Sequence, residues 1–380
     1  MPAPTSAIRR AAATVGWGLF CSSSWTWCIG MYLPVIMIRH WGWPGFLVFA
    51  LPNVLGCAGF GYACPRGDST TLCRDHAGAM VAFSAVTISY QVFFVAWIAQ
   101  AVAASSDYAS SVPPGWVAAA VVTVVGLLLS LGRGGFWPAL GSVAAVVSLS
   151  LWFLLPNGLL ARLAEGELPA ETLWWAVPIV TFGFLLSPWL DRTFHRARQE
   201  SPSVHAFGVF GATFAPIILL TAAYGAGGVA LLTTAVVVHM AVQTTFTIAA
   251  HAREVRLAPV PTKRLARQAA LVAPIVIGAL AADVPVHPET SYLLYLGFYG
   301  LVFPGYVFLF MRPSWLPALP LVPRAWPLTP PRLMAFGILV LLLAPFAALG
   351  FLEPKTWLLP IPVVILMVAA IAFPRRAAAR

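Results

Sequence analysis

Twelve stretches of this chain run for about 20 predominantly apolar residues, the length an α-helix needs to cross bilayer hydrocarbon. They fall at 13–38, 43–63, 77–103, 115–132, 134–155, 173–190, 204–225, 227–249, 268–283, 291–311, 333–352 and 356–374. Such a chain can hide its apolar surface as a bundle of helices in lipid, where each backbone polar group is paired inside its own segment. Composition agrees: 60% of the 380 residues are hydrophobic and 9% are charged, against roughly 25% charged in soluble domains. The short loops left between the stretches exclude an extramembrane catalytic domain. The first stretch exceeds the 7–15 residues of a signal-peptide core, and no small-residue cleavage pattern follows it. It is expected to stay in the mature chain.

Charge placement predicts the orientation. With the N-terminus inside, 19 of the 22 Lys+Arg fall in inside segments, and only Arg39, Arg162 and Lys355 fall outside. That asymmetry predicts cytoplasmic termini in a plasma (inner) membrane, and it accounts for the net charge of +10. No basic stripe lies on a soluble element, so nucleic acid is not an expected partner; the lipid bilayer is. Trp41, Trp43, Trp116, Trp137, Trp152, Trp174, Trp175, Trp189 and Trp357 lie near stretch ends, where interfacial belting explains them. Arg312–Arg332 is Pro-rich and reads as a stiff connector. Cys64, Cys73 and His76 share one loop; a zinc site there would need a fourth ligand and a tighter first pair, and free thiols are the plainer reading.

Every Asp and Glu is placed by the sequence in a loop or at a stretch end, which argues against carboxylate catalysis or proton relay in the core. The polar content of the stretches is hydroxyl, amide and glycine. Stretch 1 carries Ser22, Ser23, Ser24, Trp25 and Thr26 at its midpoint, and side-chain hydroxyls there compete with the helix ladder. Stretch 6 runs Pro178-Ile-Val-Thr181-Phe182-Gly183-Phe184-Leu-Leu-Ser187-Pro188, and two prolines ten residues apart invite an interruption. Packing notches and kinks are the bland account of both. Stretch 6 opens a second group of five, so the two sites correspond in inverted halves, the strongest sequence pointer to a transporter binding site.

With those two stretches the chain resembles the LeuT-type fold of the amino acid–polyamine–organocation superfamily, most of all its sodium:solute symporter branch. The fold class expected is an all-α membrane protein of about 12 helices in one domain. It would comprise a five-helix repeat at 13–155, an inverted second repeat at 173–311, and two extra helices at 333–374. The resemblance implies a small-molecule solute held by the stretch 1 and stretch 6 residues named above, together with Tyr90, Gln91 and His239. It implies no organic cofactor, and sodium as coupling ion, held by Thr244 and Thr245 with stretch 1 carbonyls. Hydroxyls bonding back to their own helix are the plainer reading of those threonines. Arg39 with Glu289 outside, and Arg10 with Glu254 inside, are placed to act as gating pairs. Two further readings stay open. One is an enzyme acting on lipids or isoprenoids, with Asp191, Arg192, His195 and Arg196 converging on a lipid-open groove. The other is a non-transporting sensor or partner subunit with a collapsed aromatic core.

Overall fold

Long apolar segments leave the backbone no partner but itself, and the computed structural model is built of helices, with no strand among its described residues. Those residues are 4–105, 115–155, 158, 160, 166–226, 233–260, 264–311 and 326–372. In chain order the helices are α1 (Pro4–Trp25), α2 (Cys28–Ala63), α3 (Arg66–Asp75), α4 (Ala77–Ser105), α5 (Gly115–Leu129), α6 (Phe136–Ser150), α7 (Leu173–Leu186), α8 (Arg192–Glu200), α9 (Ala206–Ala226), α10 (Thr234–Leu257), α11 (Arg264–Ala282), α12 (Pro288–Gly297), α13 (Phe303–Tyr306), α14 (Pro330–Leu352) and α15 (Pro360–Ala372). Among the described residues nine helices are long and apolar enough to cross a membrane. The protein is a multi-pass, all-α membrane protein. The Pro-rich connector from 312 to 325 and the charges Arg162, Lys263, Arg375, Arg376 and Arg380 lie outside the described residues.

At 36 residues α2 would be about 54 Å long, too long for one crossing. It contains a non-helical residue, Gly42, at φ 62 and ψ −148. The neighbour α9 shows what happens there. Before Gly42 the two helices run parallel, Gly30 lying against Phe214 and Val35 against Gly225; after it they run antiparallel, Ala58 lying against Gly211 and Gly61 against Phe207, so the chain reverses at Gly42. This reproduces the expected division between stretches 1 and 2. Arg39 and His40, beside the reversal, accept backbone N–H bonds from Glu167 and Leu168, which ties the 166–168 segment to this end of the bundle.

Three expectations are corrected. Stretch 1 is interrupted at Thr26–Trp27, the end of the hydroxyl run rather than its middle: Ser22 and Ser23 bond α9 and α6 while Ser22 and Ser24 also bond back to Gly18 O and Cys21 O, which leaves α1 regular up to Trp25. Stretch 6 is not broken between its prolines. Pro178 sits inside α7, and the chain leaves the helix only through a 3₁₀ turn at Ser187–Trp189, then restarts as α8. The eighth stretch, expected at 227–249, is helical over Thr234–Leu257, so Arg253, Glu254 and Arg256 belong to the helix itself.

Lipid-facing helices lie at the rim. In α11 only 11% of the apolar window is buried and in α14 only 22%, against 72% in α4. The core gathers where α1, α2, α7, α8 and α12 meet. Because Gly42 holds a positive φ that a Cβ resists, Gly42→Ala should cost about 1–3 kcal/mol. A lowered thermal unfolding midpoint in detergent would register that loss.

Candidate functional site

The two interruptions lie side by side. Thr193, in the first turn of α8, donates its hydroxyl to Ser24 Oγ in the last turn of α1 at 3.1 Å. The Trp25 ring stacks edge-on with Phe194 at 4.9 Å. The backbone released at the first break is satisfied locally. Thr26 N–H donates to Ser22 O, Trp27 N–H donates to Trp25 O, and the Trp27 indole donates to Ser24 O. At the second break Asp191 caps α8 by accepting from Thr193 N–H at 2.7 Å, as an N-cap carboxylate should.

Beside the breaks lies a small cavity of about 40 Å³, bounded chiefly by Trp25, Trp27, Asn53, Phe184, Ser187 and Tyr299. No charged side chain lines it. Its polar atoms are mostly spent: Trp25 Nε1 donates to Asn53 Oδ1 at 2.7 Å and Ser187 Oγ to Tyr299 O at 3.4 Å. That last contact joins α7 to a π-helical turn at Phe298–Val302, where Gly183 lets the helices close. A Cβ at Gly183 would stand 2.8 Å from Tyr299 O.

Of the residues expected to hold a solute, Trp25, Gly183, Phe184 and Ser187 line this cavity. Most of the others are turned to neighbouring helices, and Thr26 to its own. Ser22 bonds Thr213 Oγ1 at 2.5 Å and Ser23 bonds Gly141 O at 2.9 Å. Thr26 donates to Ser22 O and Tyr90 to Tyr292 O. Phe182 packs on Phe308, and Thr181 is half-buried on α7 outside the cavity lining. His239 Nδ1 pairs with Ser148 Oγ at 2.8 Å on the α6 side. Gln91 accepts from Thr244 at 3.4 Å, while Thr245 donates back to Ala241 O at 2.7 Å. The two threonine hydroxyls thus point at α4 and at their own helix rather than at the α1 break. Asn53, Trp27 and Tyr299 line the cavity without having been expected. An asparagine inside an apolar stretch was the visible sign for Asn53; Trp27 and Tyr299 carried no comparable signal.

Two charge clusters close the bundle. At one end Arg39 and Glu289 form a bidentate pair, Nη1 to Oε2 being 3.1 Å and Nη2 bonding Oε1, with the Tyr32 hydroxyl donating to Oε2 at 3.0 Å. This is the juxtaposition expected from the sequence. At the other end Arg10 is exposed, and Glu254 is instead held by Arg192, Arg196 and Arg253 at 3.4, 3.2 and 2.9 Å. Arg10 lies on the outward face of α1, whereas Glu254 faces α8, so the expected pair does not form. Arg253 also covers the Trp137 ring at 5.0 Å.

Asp191 and Glu254 lie at or beyond the ends of their spans, where the sequence put them, yet both are buried within the protein, with relative exposures of 0% and 1%. The short α8 was read as loop because its sequence is strongly polar, yet Arg192, Thr193, Phe194, His195 and Ala197 are all buried. His195 Nε2–H donates to Trp189 O at 3.0 Å, leaving Nδ1 to accept from the Ser69 hydroxyl at 2.9 Å. Burial holds that imidazole down at about 4, so it is neutral. Cys64 and Cys73 are free, and no group of three or more His, Cys, Asp or Glu able to hold a metal occurs among the described residues.

No protein-family model matches the chain, and no curated protein matches it.

Removing one partner of a buried charge cluster typically costs about 3–5 kcal/mol, whereas an exposed pair is worth about 0–1 kcal/mol. Glu254→Gln should therefore lower the detergent unfolding midpoint strongly. Glu289→Gln, whose partner Arg39 is 37% exposed, should lower it only slightly. Equal effects of the two would show that burial does not set their weight.

Proposed function

We propose that the protein is a secondary active transporter of a small organic solute, working by alternating access around the two interrupted helices. In this reading it has twelve spans, a 5+5 inverted repeat plus two C-terminal helices, and lies in the plasma membrane with both termini cytoplasmic. A cation gradient drives it. The observation that carries the reading is the direct contact of the α1 and α8 ends beside a small cavity lined from both interruptions, by Trp25 and Trp27 and by Ser187, since interrupted helices that meet within a bundle are how such transporters expose backbone groups to a solute. The Arg39–Glu289 pair and the Glu254 cluster lie on opposite sides of that contact. Breaking one while the other holds would open the cavity to one side at a time. An uncharged, aromatic lining suits a neutral or zwitterionic solute.

The present cavity has room for about three waters, which describes a closed state and requires the Trp25, Trp27 and Phe184 rings to move for a solute to enter. The same small volume favours the second reading, a non-transporting protein that keeps this helix arrangement. The enzyme reading has less support: Arg192, His195 and Arg196 point inward and are bonded within the protein rather than facing lipid.

Purified protein in proteoliposomes should concentrate at least one class from a mixed panel of amino acids, betaines and nucleobases under an imposed sodium or proton gradient. Gly300 lines the cavity, and a Cβ there makes only ordinary contact with Ile179 at 3.6 Å. Gly300→Ala should therefore leave the unfolding midpoint near that of the parent while reducing uptake, and Gly300→Leu, which would fill the cavity, should abolish uptake. Gradient-independent behaviour for every solute would sink the transporter reading.

A further inference from the structure

We propose that Asp191 is a proton-binding site at the junction of the two interrupted helices, and that its protonation holds α8 against α1 and α2. Its coupling role rests on the transporter reading above; the protonation itself does not.

The geometry sets Asp191 apart from every other acid described. Its carboxyl is fully buried, Oδ1 accepts from Thr193 N–H at 2.7 Å, and Oδ2 has no partner. Among the described residues no basic group pairs with it. The ionisable groups around it come from several elements. From α1 comes the Cys21 thiol, from α2 the Cys57 thiol, from α10 the Glu254 carboxylate, and from the π-helical turn the Tyr299 phenol. On α8 itself, Arg192 is committed to Glu254 and to Cys73 O of α3, and both ring nitrogens of His195 are bonded. Asp191 lies two residues beyond the end of the Ala170–Trp189 span. Its capping bonds with Thr193 favour the charged form, but burial outweighs them and pushes its carboxyl up to about 7.

Cation chemistry narrows the choice further. Sodium is a hard ion that prefers a shell of oxygens, and soft sulfur is a poor ligand for hard cations. Two of the ionisable groups that act on this carboxyl are thiols, and Oδ2 makes no hydrogen bond. A proton needs only that one lone pair. Binding adds H⁺ to Oδ2, makes the acid neutral, and changes no other bond. Loss of the proton leaves an unpaired charge in an apolar junction, which disfavours the packing of α8. Because Arg192 and Arg196 ride on α8, loosening that helix also loosens the Glu254 cluster. Deprotonation therefore favours opening at the Glu254 end, and protonation favours closure.

Infrared titration of the full chain in lipid tests this directly. The parent should show a protonated carboxylic C=O band that shifts in heavy water and fades with a midpoint near neutrality, well above the ordinary aspartate value of about 3.9. Asp191→Asn, which keeps both shape and the capping acceptor, should lack it. Hydrogen exchange over residues 192–200, corrected for intrinsic rates, should accelerate from about pH 6 to about pH 8 in the parent, and not in Asp191→Asn. A band that survives in Asp191→Asn, or is missing from the parent at about pH 5, overturns the proposal. So does a midpoint that moves when choline is replaced by sodium at constant ionic strength, or exchange that responds to pH equally in both proteins. Absent uptake with the band in place overturns the transporter reading and leaves the proton site standing.

Discussion

A helix that stops inside a membrane protein releases backbone N–H and C=O groups where no water waits to receive them, and each one left unpaired costs several kcal/mol. Two helices here stop in that way, and the rest of the core is arranged around satisfying them. Trp27 turns its indole back to Ser24 O, Thr26 bonds Ser22 O, and Asp191 caps α8. The Thr193–Ser24 contact then ties one interruption to the other. Neither break can be moved without exposing the other.

That dependence explains the placement of charge. The strongly polar α8 is pulled inside because its first turn completes the junction, and its arginines must then be neutralised. Glu254 does so by taking two of them, Arg192 and Arg196, together with Arg253 of its own helix. Asp191 cannot be matched in the same way, because its cap role aims it at Thr193 and away from Arg192. The cost of that position is a carboxyl with an open lone pair beside two thiols, at the point where motion of α8 would begin. Electrostatics and conformational change are therefore linked through one side chain.

That the long apolar runs are helices was legible before any coordinates, and so was the idea that stretches 1 and 6 are interrupted. Periodicity and length are local properties of an apolar segment, and a run of Ser and Thr or a Pro–Gly–Pro stretch disturbs a helix wherever it sits. The positions of the breaks were not legible. Ser22 and Ser23 look like a helix-breaking cluster in the sequence, yet they are knobs against α9 and α6. Pro178 sits within an unbroken α7. Arg39 and Glu289 could be matched as the outermost charges of their segments, whereas Glu254 found partners on α8, a helix whose polarity had made it look like a loop.

By itself, then, the sequence determined that this chain lives in lipid as a bundle of helices, because so few charges and such long apolar runs leave no other solvent for it. It also determined that hydroxyls, glycines and prolines collect in two places, stretches 1 and 6. Only the tertiary structure decided that α8 is core, that Asp191 and Glu254 are buried, and that no basic group among the described residues pairs with Asp191. Those are facts about which side chains meet. Burial of a polar residue depends on neighbours far away in the chain, and no local pattern encodes them.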